Sequence, residues 1–113
     1  MTPTQRSLAW WRQEGYTVAM VEKFLRVPGM SHGVRQDLFG FADLVAIRAD
    51  KDGVVAIQCG VGADHAKHVA KIHAEPRARI WLSARNRILV DSWRKVGDRG
   101  KRKIWAVRQE EIY

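Results

Sequence analysis

Apolar and polar positions along the chain fall into segments of two periods. Leu8 and Trp11, three residues apart, give the first segment an apolar face. Thr2 suits its N-cap, Pro3 its first helical position, and Gln5 completes a Thr-x-x-Gln capping box. Gly15 ends it, so a helix is predicted from about Pro3 to Glu14. Tyr16 to Leu25 reads as a strand, followed by a loop through Pro28, Gly29, Ser31, His32 and Gly33. Phe41 to Ala49, with its run Leu44-Val45-Ala46-Ile47, and Val54 to Cys59 flank the turn signal Asp50-Lys51-Asp52-Gly53, which predicts a hairpin. Asp64 to Ala74 is predicted helical, with Ala66, Val69, Ala70 and His73 as its apolar stripe and Pro76 as its stop. Ala78 to Ser83 reads as a fourth strand. Arg87 to Val96 and Lys103 to Arg108 form a closing hairpin around Gly97-Asp98-Arg99-Gly100. The order α-β-β-β-α-β-β-β predicts a single α/β domain over residues 1–113, a mixed sheet with helices against it and a basic C-terminal hairpin over 85–108.

Composition narrows the class. A chain of 113 residues, 46% hydrophobic with five Trp, is a globular domain and not a disordered segment. No apolar run approaches the ~18 residues of a membrane span, so no membrane partner is expected. No secretory signal is visible, and the lone Cys59 fits a reducing compartment, so the expected location is cytoplasmic. The formal charge is +8, and it is lopsided: residues 1–60 hold 7 Lys/Arg against 6 Asp/Glu, residues 61–113 hold 13 against 6. Arg85, Arg87, Arg94, Lys95, Arg99, Lys101, Arg102 and Lys103 crowd one stretch beside only Asp91 and Asp98. That clustering predicts a phosphate-backbone partner, with Lys67, His68 and Lys71 adding contacts from the second helix. Trp10, Trp93 and Trp105 either stack on unpaired bases or, for Trp93 and Trp105, pack across the closing hairpin.

Asp43 is the conspicuous polar residue, a carboxylate inside an otherwise buried strand. It needs a partner, a proton or a metal there. If the turn centres between Lys51 and Asp52, Asp43 faces Gly60 and Val45 faces Gln58. The period of two then puts Asp43, Gln58 and Gly60 on one face. A carboxylate beside a side-chain carbonyl offers hard oxygen ligands suited to Mg²⁺ or Mn²⁺. Cys59, His65, His68 and His73 suggest zinc only weakly, because His65 and His68 are three apart and no paired cysteines flank them.

The segment Arg35-Gln36-Asp37-Leu38-Phe39-Gly40-Phe41-Ala42-Asp43-Leu44-Val45-Ala46-Ile47, a turn, then Val55-Ala56-Ile57-Gln58-Cys59-Gly60 resembles the PD-(D/E)XK nuclease superfamily, which includes archaeal Holliday-junction resolvases and phage-type nucleases. Gln13-Glu14-Gly15-Tyr16 is similar to the resolvases' helix-to-strand corner. The resemblance implies a restriction-endonuclease-like α-β-β-β-α-β core and a metal-dependent DNA endonuclease acting on branched or junction DNA, and a homodimer is expected because two active sites on a duplex or junction need two subunits. Asp43 matches the family's metal-binding Asp, while Gln58 stands for its usual Asp or Glu and Gly60 for its Lys. On the first helix, where a family Glu often joins the site, this chain has Gln5 or Arg6. Glu22 and Asp37 are candidates for the missing carboxylates, Lys67 or Lys71 for the lysine, and His65 or His68 for a base. The alternative is a nuclease-like module that binds DNA or RNA without cutting it.

Overall fold

The computed structural model describes residues 1–113. Helix α1 (Pro3–Gln13) starts as predicted: the Thr2 side chain accepts from the Gln5 amide, and the Gln5 side chain accepts from the Thr2 amide. The expected first strand divides in two. Strand β1 (Thr17–Met20) joins the main sheet, while β2 (Lys23–Leu25) leaves it to pair with β3 (Val34–Gln36). The β2–β3 pair is an arm whose Phe24, Leu25 and Val34 side chains lie exposed. Its second strand falls between the expected loop and the expected second strand, where no element was predicted. The core strands β4 (Leu44–Ile47) and β5 (Val55–Val61) form the hairpin foreseen around Gly53.

Two short helices, α2 (His65–His73) and α3 (Pro76–Ser83), then cross over to β6 (Arg87–Val96), which runs parallel to β5. Strand β7 (Ile104–Ile112) closes the sheet as the second half of the C-terminal hairpin. The sheet order is β1-β4-β5-β6-β7. The architecture is therefore α/β with a mixed sheet, as expected, with one element corrected. Ala78 to Ser83 is helix, not strand. Pro76 opens it, and Glu75 caps it by accepting from the Arg77 amide. The fourth strand of the sheet is β6.

Alternation along the strands gives two cores. Leu44, Ala46, Ile57 and Leu89 pack with Trp11 under α1, and Ala56, Ile88 and Val90 pack with Ile72 and Ala78 under α2 and α3. The stripe predicted for α2 is rotated. Ala66, Ala70 and His73 are exposed, whereas His65 and Ile72 are buried and Val69 packs beside them. Ile72 contributes the largest aliphatic side chain of that helix, so burying it sets the rotation.

A carboxylate cleft at the end of β5

The hairpin register is shifted by two residues from the expected one: Leu44 lies opposite Ile57, which brings Asp43 opposite Gln58 instead of Gly60. A shift of two keeps every side chain on its face, so Asp43 and Gln58 still stand together. Asp43 is buried. Its Oδ2 accepts from the Cys59 amide at 2.8 Å and from Gln58 Nε2 at 3.0 Å. Gln58 is also buried, and its Oε1 has no hydrogen-bond partner.

Two further carboxylates converge on Asp43. One oxygen each from Glu22, Asp37 and Asp43 lies within 4.8 Å of the others. The β2–β3 arm brings them together, because Glu22 immediately precedes β2 and Asp37 immediately follows β3. The Val21 amide still donates to the Asp43 carbonyl at 3.0 Å, which extends the β1–β4 ladder by one residue, and the chain leaves the sheet at Glu22. Burial pushes the Asp43 carboxyl up to about 8, opposed by the Cys59 amide and reinforced by Asp37 and Glu22. The two neighbouring carboxylates thus add to burial in favouring the protonated form of Asp43. Arg35 meets Glu22 at 3.2 Å and Lys71 meets Asp37 at 3.5 Å, while no cationic side chain pairs with Asp43. Arg35 thus serves Glu22 and not the buried aspartate.

These residues line a cleft of roughly 370 Å³ with Gly60, Val61, Asp64, His68 and the start of α1, Thr2 to Thr4. It opens at the carboxyl end of β5, the usual place for a ligand site beside parallel strands. A larger hollow of about 560 Å³ lies within the arm, where Arg26 and His32 are the only ionisable side chains, and it offers no chemistry. Gln5 is committed to the helix cap and Arg6 lies 4.1 Å over the Trp105 ring, so neither enters the cleft. Lys67 is exposed on α2 and does not line it, whereas Lys71 reaches its rim through Asp37.

The basic residues divide between the two ends of the sheet. Gly60 pairs with Ser92 and Val61 with Trp93, so Arg94 and Lys95 follow directly on the cleft end of β6. With Val61, Trp93, Trp105 and Arg108 they line a shallow groove that shares Val61 with the cleft. Arg99, Lys101, Arg102 and Lys103 are exposed in the loop beyond. Arg85 and Arg87 lie at the opposite end, some seven residues or ~23 Å away along the strand. Arg87 is engaged there by Glu111 through two bonds of 2.9 and 2.7 Å, at the end of the strand away from the groove that Arg94 and Lys95 line.

The remaining polar constellations are structural. His65 bridges Ser92 Oγ at 2.6 Å and Glu110 at 2.8 Å, a serine-histidine-carboxylate arrangement, but Ser92 is fully buried and no substrate reaches it. His65 is therefore no base for the cleft. Cys59 is buried in the core under α1. Trp93 does not face Trp105 across the hairpin: its partner is Val107, and Trp105 pairs with Lys95. No helix is long and apolar enough to cross a membrane. No family model matches the chain, and neither the curated proteins nor the solved structures give a match.

Proposed function

We propose that the chain is a metal-dependent phosphodiester hydrolase acting on nucleic acid, with DNA as its substrate. One observation carries the reading: carboxylates from three separate chain segments meet within 4.8 Å beside the buried, unpartnered carbonyl oxygen of Gln58. Glu22, Asp37, Asp43 and Gln58 Oε1 would hold a divalent ion such as Mg²⁺ or Mn²⁺. All four are hard oxygen donors, and the repulsion among the carboxyls gives them a use for the charge. When bound, such an ion supplies a Lewis acid at a phosphate oxygen and a more acidic water. The protein's own residues do the rest. Lys71 at the rim is placed to meet a phosphate oxygen, and Arg94, Lys95 and Arg108 line the path by which a backbone would leave the cleft. The PD-(D/E)XK resemblance agrees with this assignment of Asp43. A buried free thiol at Cys59 suits a reducing, cytoplasmic setting.

The test is Mn²⁺ titration by calorimetry together with cleavage of linear and branched DNA. Glu22→Gln and Asp37→Asn are each expected to weaken Mn²⁺ binding at least tenfold, and Asp43→Ala to abolish cleavage. Equal cleavage by wild type and Asp43→Ala, zero included, overturns the reading. Preference for RNA at matched salt overturns the DNA assignment.

The division of basic residues makes a second prediction. Arg94→Ala and Lys95→Ala should each weaken DNA binding at all sequences and lower the salt slope by about one. Arg87→Ala should leave the slope unchanged and lower stability instead, through loss of its Glu111 pair. Fluorescence anisotropy across a salt series reads both.

A further inference from the structure

Gly60 and His68 are packed against each other in the cleft wall. A Cβ built on Gly60 would overlap the His68 ring and lie 2.8 Å from its Nδ1, so the imidazole occupies the space that any other residue at 60 would fill. The φ of Gly60 is not in the left-handed region, so the backbone does not demand glycine there. Close approach of the ring is what the glycine permits. His68 Nδ1 is buried and has no partner, in contrast to His65, whose two nitrogens are both engaged. His68 lines the same cleft as the three carboxylates and Gln58. It is the only imidazole that does so.

We propose that His68 is the proton acceptor for the attacking water, and that glycine at position 60 is present to seat it. The inference rests on the hydrolase reading above. The water oxygen bonds to phosphorus as the bond from phosphorus to the leaving sugar oxygen breaks, its electron pair staying on that oxygen. The proton from water passes to Nε2 of the neutral imidazole, the ring nitrogen not enclosed against Gly60, and the leaving oxygen takes a proton from solvent. The imidazolium then returns its proton to solvent, so the cycle balances. Burial and the ammonium of Lys71 hold His68 below its ordinary range, with Lys67 adding to this and Asp64 and Asp37 opposing it. A neutral imidazole is therefore the resting form near pH 7.

The test compares His68→Ala, Gly60→Ala and the double variant with wild type, using Mn²⁺ binding and DNA cleavage. His68→Ala should bind Mn²⁺ as wild type does and cleave ~100-fold or more slowly. Gly60→Ala should show the same loss by displacing the ring, and the double variant should be no slower than either. Added imidazole should restore cleavage to His68→Ala, with rescue rising as substituted imidazoles become more basic. Wild-type cleavage by His68→Ala overturns the proposal, as does a slow variant that imidazole does not rescue. Cleavage that survives Asp43→Ala is a different outcome: it removes the hydrolase reading itself, and the role of His68 with it.

Discussion

Asp43→Asn is expected to make the metal-free protein more stable while removing its cleavage activity. The carboxyl moves from an ordinary 3.8 to about 8 on folding, chiefly because burial disfavours its charged form. Between those values the folded protein keeps a proton that the unfolded chain has lost. Folding stability therefore falls as pH rises across this window and levels off above about 8. Each unit of pH is worth about 1.4 kcal/mol, so the accumulated cost near pH 7 is a few kcal/mol. Asn has no proton to lose, and its carbonyl can still accept from the Cys59 amide. Urea unfolding of metal-free protein at pH 5 and pH 7.5 should show wild type weakening as pH rises and the variant weakening less. A residual slope is expected in the variant, because burial raises the Asp91 carboxyl too. Saturating Mn²⁺ should reverse the order, since only wild type gains the binding free energy. A wild-type stability that does not fall between the two pH values would mean that Asp43 folds in its charged form. The site then trades stability for the capacity to take up a cation.

Much of this site was legible in the sequence, and the reason is the period of two. Asp43 and Gln58 interrupt apolar strands, and alternation alone puts them on one face whichever of the two registers holds. The capping box of α1 and the turn at Gly53 are similarly local signals, and both elements form where predicted. What required the fold was the arm. Val21 and Glu22 look like the continuation of a strand, yet the chain leaves the sheet after Val21, and Val34–Gln36 returns alongside β2 to bring Asp37 back. The two arm strands are three residues each and exposed throughout, so no apolar alternation marks them, and Glu22 and Asp37 could be nominated as carboxylates but not placed. Ala78–Ser83 misled for the opposite reason. Eight residues are too few for the helical period to separate from a short apolar strand, and Pro76 reads equally as the stop of one helix or the start of another. The Gly60–His68 packing also lay beyond the sequence, since it depends on how α2 is rotated. Ile72 sets that rotation, and the predicted stripe had omitted it.

The largest loss of stability is expected at Asp91, the fully buried carboxylate of β6. Its Oδ2 accepts from Ser7 Oγ at 2.8 Å and Trp11 Nε1 at 2.9 Å, and its Oδ1 from Gln109 Nε2 at 3.0 Å. Trp93 Nε1 donates in turn to Ser7 Oγ at 2.8 Å. One side chain thus ties α1, β6 and β7 together, and its Ser7 and Trp11 donors are buried away from water. Asp91→Ala strands the two buried donors and opens a cavity, at a cost of about 3–5 kcal/mol. Against a typical total of ~5–15 kcal/mol, that lowers Tm by roughly 15 °C or more, or prevents folding outright. Asp91→Asn should be far milder. Its carbonyl can accept from Ser7 and Trp11, and the Gln109 amide can turn to present its oxygen to the new NH₂ group. Thermal unfolding of the two variants separates the hydrogen-bond network from the charge, and equal losses would show that the charge itself matters. The consequence reaches the cleft, because α1 also supplies Thr2 to Thr4 as one of its walls. Asp91→Asn should therefore keep wild-type Mn²⁺ affinity, whereas any folded fraction of Asp91→Ala should bind Mn²⁺ less tightly although no ligand has been changed.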